Sequence, residues 1–516
     1  MRRWLPALLL LARTGAPLVA QVPDSAGAAR PAPTSVLTLQ EAITQGRGNN
    51  PVYRAVLNDE DPARWAVRNA YGQFLPTADA SAGVNYTGEG SSTFGGSAFN
   101  QISPSVGSSY ALGLGWRLSG ATIAGPGREK ANQRATEADI DDADNTLRAS
   151  ITEQYLDALA AMALTDASRV QTQRNQVFLD LAQARFQVGQ ATLIDVRQAE
   201  VQRGNSQIAL LRAEQAEVDA KLELFRRMGV PAPEDPERVG LVNEFVVEEP
   251  VFVLDSLVAL SEQDNPQLRA LRARDDASKW NLRAARSAYL PTLSAQAGWS
   301  GFTQEFTDEN LLVSSALANG QVNAFNCQFQ NDVITRLTSP MPYPNGGVIS
   351  DCNGFSGLDP SGTALDPAFQ AAMLDANDQF PWDFQTQPFQ AQLVVSLPLF
   401  TGFGRQLDVA RASAARKDAE EAVREQALFL RTGIQSRLRA YETAYEAIGV
   451  QSSNREAARD QLRLAQDRYR LGSGTSLELS DAQNAVQQAE SDYINAVYLY
   501  HRALVALEAA VGRPLR

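Results

Sequence analysis

The chain has 516 residues, 44% of them hydrophobic, and 46 basic against 59 acidic residues give it a net charge of −13. That length allows two or three ordinary domains, or one long architecture built from a repeat. The apolar content excludes wholesale disorder, and the acidic balance argues against a nucleic-acid partner, whose phosphates need a basic surface.

The chain opens with Met1-Arg2-Arg3-Trp4, then an apolar run from Leu5 to Ala12 and small residues up to Ala20. That pattern reads as a secretory signal peptide, residues 1–20, cleaved near Ala20. It carries three arginines and no acid, so its removal leaves the remainder more acidic still. The segment has no cysteine for lipid attachment. Residues 21–36 read as a flexible N-terminal segment. Beyond residue 20 there is no run of about 18 apolar residues, so no helix is predicted to span a bilayer. A membrane role would have to come from a β-barrel.

The remainder is a tandem duplication. At an offset of 215, residues 49–83 match the later copy at 14 of 35 positions without a gap. Asn50-Pro51 falls on Asn265-Pro266, Trp65 on Trp280, and Leu75-Pro76-Thr77 on Leu290-Pro291-Thr292. Further along the offset is 283. Arg185 then meets Arg468, Gly189 meets Gly472, Thr192 meets Thr475 and Gly229 meets Gly512. Repeat 1 spans 37–232, a linker rich in Pro and Glu spans 233–250, and repeat 2 spans 251–516.

Each repeat predicts the same elements. A helix near 39–74, or 254–289, ends at Leu-Pro, because proline cannot continue it. Alternating strands follow at 77–86 and 109–118, where Tyr110, Leu112, Leu114, Trp116 and Leu118 share one face. Repeat 2 offers Leu293 to Trp299 and Phe389 to Leu397 with the same alternation. Ten-residue segments with one apolar and one small or polar face suit a membrane barrel, although a soluble sandwich shows the same period. Four strands cannot close a membrane-spanning barrel, so several chains would have to share one.

Long helices follow. Arg405 to Leu471 is 67 residues without a proline, about 100 Å if fully helical. Apolar seams run through Ile434, Leu438, Tyr441, Tyr445 and Ile448, and through Val486, Ala489, Tyr493, Val497, Tyr500, Leu504, Leu507 and Val511. Repeat 1 offers Ile208, Leu211, Gln215, Val218, Leu222 and Phe225. These predict coiled-coil hairpins bending at Gly189 and Gly472. The extra 68 residues of repeat 2 fall in 301–388, with ten acids and one base, and read as a long loop outside the cell. Cys327 and Cys352 enclose 24 residues of it; in an exported chain the pair points to a disulfide, expected to stabilise by about 3 kcal/mol. No histidine lies near them, so no metal site is expected. The one histidine, His501, reads as structural, and no phosphate-binding loop follows a strand. Neither an enzyme nor a cofactor is predicted.

This organisation resembles the TolC-like family of outer-membrane efflux proteins. The signature lies at the two bends, Arg185-Phe186-Gln187-Val188-Gly189-Gln190-Ala191-Thr192-Leu193-Ile194-Asp195 and Arg468-Tyr469-Arg470-Leu471-Gly472-Ser473-Gly474-Thr475-Ser476-Leu477-Glu478. Pro398-Leu399-Phe400-Thr401-Gly402-Phe403-Gly404-Arg405 also resembles the family's exit from strand to helix. In repeat 1 that exit is either Leu118-Ser119-Gly120 or Gly125-Pro126-Gly127-Arg128.

The resemblance implies a mainly helical fold with a membrane β-barrel part. A homotrimer would share a 12-stranded barrel in outer-membrane lipid and a periplasmic α-helical tunnel, with the linker in an equatorial belt. It implies docking of a periplasmic adaptor (membrane fusion) protein and an inner-membrane pump of RND or ABC type. By position, Glu478 and Asp481 would ring the periplasmic gate, three apart and so on one helix face. Asp195 and Tyr469 match a polar latch of the closed state, while Gly474 stands where the best-known member has an arginine. Arg185, Gly189, Thr192, Arg468, Gly472 and Thr475 mark the adaptor-docking tips. The expected function is the exit duct of a tripartite efflux system. A type I protein-secretion duct, or a periplasmic coiled-coil scaffold without a pore, are the alternatives.

Overall fold

The computed structural model describes residues 35–94, 97–243, 245–338 and 347–515. The expected signal peptide, and the flexible segment up to residue 34, lie outside the described residues. The chain divides into two compact units. Among the described residues, one draws on 35–60, 135–271 and 422–515; the other on 61–134 and 272–421.

Repeat 1 starts with a short strand, β1 (Ser35–Leu37), then α1 (Leu39–Asn49), α2 (Pro51–Leu57) and α3 (Glu60–Gly72). The single helix predicted over 39–74 is thus three. Asn50 ends α1 and caps α2, its side chain accepting from Tyr53 N, while Pro51 takes the first helical position, where its missing N–H costs nothing. Next come β2 (Thr77–Thr87), the hairpin β3 (Gly90–Phe94) and β4 (Ser97–Ile102), β5 (Ser105–Leu118), α4 (Gly120–Gln187) and α5 (Leu193–Met228). Leu118-Ser119-Gly120 is the strand-to-helix exit, and Pro126 lies inside α4. A 3₁₀ turn (Pro236–Arg238) leads into β6 (Val239–Leu241).

Repeat 2 runs α6 (Leu254–Asp264), α7 (Pro266–Ser287), β7 (Thr292–Phe302), β8 (Glu305–Phe306), α8 (Glu309–Thr335), α9 (Cys352–Phe355), α10 (Pro367–Asn377), β9 (Gln385–Thr386), β10 (Gln390–Ser396), α11 (Gly404–Arg470) and α12 (Ser476–Val511). The stretch predicted as a loop therefore contains three helices. Asp308, Asp351 and Asp366 cap them, each accepting from backbone N–H groups of the first turn. Ala324, Leu358 and Leu365 form a small core. The predicted disulfide is formed, Cys327 to Cys352, with Cα atoms 5.7 Å apart.

The second unit is built on an antiparallel sheet in the order β10-β7-β5-β2, with β8 on β5 and β9 on β7. Its register aligns the alternation predicted for the separate strands. Ala80, Leu112 and Trp299 lie in one cross-strand row, and Ala78, Leu114, Ala297 and Ala391 in the next. Directly opposed residues point to the same side, so one face is apolar. The other carries Asp79, Gly113, Gly298 and Gln390, then Thr77, Gly115, Gln296 and Gln392. Val84, Tyr86, Leu112, Leu114, Trp299, Leu393 and Val395 of the apolar face are exposed in the single chain. Both edge strands, β2 and β10, have one neighbour in this sheet among the described residues.

The first unit packs parts of α4, α5, α11 and α12 with α1 and α6. The predicted seams of α11 and α12 are its core, with Ile434, Leu438, Tyr441, Tyr500, Leu504, Leu507 and Val511 buried. The seam predicted for α5 is displaced. Ile208, Leu211 and Leu222 are exposed, and the buried row is Val196, Ala199, Ser206, Glu217, Lys221, Leu224 and Met228. Two rows of heptad spacing exist on α5, and the inner one is the more polar. Its charges are satisfied locally, Lys221 Nζ donating to Glu217 Oε1 at 2.7 Å. β1 pairs in parallel with β6, so residues 35 and 36, expected to be flexible, are fixed against the linker. The Tyr155 hydroxyl donates to Leu37 O and accepts from Val242 N, and the Tyr500 hydroxyl donates to Glu248 O and accepts from Glu248 N. Two tyrosines, one from each repeat, pin the linker.

Candidate functional site

The two bends lie in the first unit and are built alike. α4 and α11 stop because Gly189 (φ +72°) and Gly472 (φ +78°) take the left-handed conformation, in which a side chain is disfavoured. Gln190 N donates to Arg185 O and Ser473 N to Arg468 O, satisfying the last helical carbonyls. Thr192 and Thr475 then start the return helices, their hydroxyls accepting from Asp195 N (3.3 Å) and Glu478 N (3.1 Å). The glycines and threonines expected at docking tips are thus, first, the pieces that make each turn.

The bends are tied together asymmetrically. The Arg185 guanidinium stacks over the Tyr469 ring at 4.6 Å and donates to the Tyr469 carbonyl. Phe178 meets the same ring edge-on at 5.6 Å. Ser476 Oγ donates to Asp195 Oδ1 at 2.6 Å, and the Gln198 amide oxygen lies 2.9 Å from that hydroxyl. Asp195 Oδ2 closes the cap by accepting from Thr192 N at 2.8 Å. The Ser476 bond, followed by the Thr192 cap, holds the Asp195 carboxyl below the usual carboxylate range. Burial pushes the Tyr469 phenol up.

The predicted link between Tyr469 and Asp195 is not made. The Tyr469 hydroxyl is buried with no hydrogen-bond partner among the described residues, and Asp195 spends its oxygens on Ser476 and Thr192. Tyr469 is held instead through its ring and carbonyl by Arg185. Glu478 does not close its own cap as Asp195 does; it lies 3.6 Å from Arg468. Asp481, one turn on, is exposed, as is Glu478. Sequence reading missed Ser476 and the exposed apolar rim of Val188, Leu471, Ile194 and Leu477. The rim had a signal, since Val188 and Leu471, like Ile194 and Leu477, are partners at the offset of 283.

Among the described residues no group of three or more His, Cys, Asp or Glu could hold a metal ion, and no helix is long and apolar enough to cross a membrane. The sequence pattern of the outer membrane efflux protein family matches residues 42–230 and 378–513. The chain belongs to that family. It is an outer-membrane efflux channel, and the residues 231–377 left between the two matched blocks include the linker and the helical insert.

Solved structures of similar fold agree. The Vibrio cholerae outer membrane protein VceC has a TM-score of 0.64 at 15% identity, covering 93% of this chain and 97% of its own. The Campylobacter jejuni CmeC outer membrane channel gives 0.65 at 13%, with 92% and 85% covered. The open state of the Neisseria gonorrhoeae MtrE outer membrane channel gives 0.63 at 19%, with 93% and 89% covered. At such identities the likeness speaks for the fold of this efflux channel and not for its cargo.

Proposed function

We propose that this efflux channel is the passive exit duct of a tripartite system, a homotrimer whose three four-stranded sheets close one 12-stranded barrel in the outer membrane. The observation that carries this is the sheet with two bare edges and an exposed apolar face. In hydrocarbon an unpaired edge costs several kcal/mol per unsatisfied group, so the sheet needs neighbours to close it. The helical units would line a conduit in the periplasm, with the linker in an equatorial belt. The exposed stripe of Ile208, Leu211 and Leu222 on α5 then meets another copy of the chain. The helical insert, acidic and disulfide-closed, stands outside the cell.

The bends form the periplasmic end. Three copies each of Glu478 and Asp481 narrow it and favour cations. Arg185, Tyr469, Asp195 and Ser476 keep the two bends of one chain together. The rim of Val188, Leu471, Ile194 and Leu477, beside Gly189 and Gly472, offers a periplasmic adaptor an apolar footing, and the adaptor links the duct to an inner-membrane pump. The test is reconstitution of protein purified from outer membranes into planar bilayers. A trimer with a small, cation-preferring conductance that rises when Glu478 and Asp481 become Ala is the expected result. A detergent-free soluble monomer without conductance would instead identify a scaffold.

A further inference from the structure

The segment between β10 and α11 has features that the barrel and the bends do not use. The apolar row of β10, Leu393 and Val395, is followed at the same spacing by Leu397 and Leu399, beyond the last paired residue, Ser396. From Leu397 to Gly404 the segment carries no charge. Leu399, Phe400 and Phe403 are 85%, 74% and 69% exposed, far more than an apolar loop keeps when it packs on its own chain. A Cβ added at Gly402 or Gly404 would meet nothing within 4 Å, so the surroundings are empty.

The backbone points the same way. Phe403 has φ +66° and is the one non-glycine with positive φ among the described residues. A bulky residue in that region is strained by roughly 1–2 kcal/mol. Its main ring partner is Phe400, itself exposed, edge-on at 5.7 Å. Packing inside the chain therefore does not offset the strain. The loop is nevertheless held in shape. Arg405 stacks over Tyr289 at 4.7 Å and donates to Leu399 O at 3.0 Å and Thr401 Oγ1 at 3.2 Å.

We propose that Leu399, Phe400 and Phe403 form an apolar spike that inserts among phospholipid acyl chains where the sheet leaves the membrane, with Arg405 at headgroup level. Aromatic rings and arginine are the side chains that settle at this boundary. The proposal rests on the bilayer reading of the sheet. Phospholipid is favoured over another copy of the chain because Leu399 keeps the spacing of the apolar row of β10, whereas a second copy would pair along the hydrogen-bonding edge.

The test uses the full-length protein in bilayers of phosphatidylethanolamine and phosphatidylglycerol. Both native cysteines are joined in the disulfide, so Phe400→Cys introduces a single thiol for a nitroxide label. Leu399→Cys serves as a second position if Phe400→Cys does not assemble, Leu393→Cys reports the membrane face and Gln392→Cys the opposite face. The expected result is a label relaxed strongly by oxygen and weakly by a water-soluble nickel complex, as at Leu393. Strong relaxation by nickel alone would place the spike in water and overturn the proposal. Weak relaxation by both would place it under a second copy and also overturn it. Water at Leu393 as well would mean that the bilayer reading had failed, which separates the two failures.

Discussion

The duplicated helices α5 and α12 are both 36 residues long, yet they solve the same packing position with opposite chemistry. At the offset of 283, Glu217 corresponds to Tyr500 and Lys221 to Leu504. In α12 the tyrosine stacks on Tyr441 at 4.9 Å and its hydroxyl holds the linker at Glu248. In α5 the two positions hold an ion pair as buried as Tyr500 and Leu504, and Lys221 also reaches Glu237 O at 3.4 Å. A duplicated backbone fixes where a side chain goes; it leaves open how the buried position is satisfied.

That comparison can be broken most sharply at the ion pair. Lys221→Met removes the buried ammonium that donates to Glu217 and is expected to destabilise by about 3–5 kcal/mol in urea unfolding followed by fluorescence. Replacing both residues by Leu, which removes the two charges together, is expected to return stability to within about 1 kcal/mol of the starting protein. If the double replacement is as damaging as the single one, the two helices do not share a packing logic.

A smaller effect separates the bends. Arg185 joins one bend to the other through the Tyr469 ring and carbonyl, whereas Arg468 bonds within its own bend and reaches Glu478 at 3.6 Å. Arg185→Ala is expected to lower amide protection at both bends by about 1–2 kcal/mol, and Arg468→Ala by under about 1 kcal/mol. Hydrogen exchange read by mass spectrometry over 178–200 and 460–486 checks the ordering.

The smallest effect is on pH. The folded pKa of Asp195 is depressed, so its contribution is fully present above the unfolded value, near 4, and is lost as pH falls through the folded one. Acid should therefore loosen the bends only below about pH 4. Ser476→Ala, which removes the largest cause, is expected to shift that loss to higher pH in the same exchange experiment. No shift would mean that Ser476 does not hold the carboxylate.

What could be read from the sequence was local. Alternation assigns Leu112 and Leu114 to one face whatever strand lies beside them, and Gly189 with Thr192 marks a stop and a start within four residues. What could not be read depended on distant partners. The row of α5 that turns inward carries Glu217 and Lys221, which meet each other and Glu237, although the row of Ile208 and Leu211 is the more apolar. β1 is a strand only because β6, some 200 residues on, pairs with it. The helices of the insert depended on aspartate caps that the acid-rich composition disguised as loop. Ser476 meets Asp195 across 281 positions, and a serine after a capping threonine gives no sign of it.

The matched bend-side arms of the two hairpins carry a rule about inheritance. The return helices are 36 residues each, and the outgoing helices, 68 and 67 residues long, differ only at their starts and end at corresponding positions, Gln187 and Arg470, so that Arg185 finds Tyr469. One residue gained or lost in a single arm displaces its bend by about 1.5 Å and turns it by about 100°. Insertions and deletions in related chains should therefore come in matched sets across all four arms, in steps of seven that restore the seam. The helices act as rulers that have to be recut together.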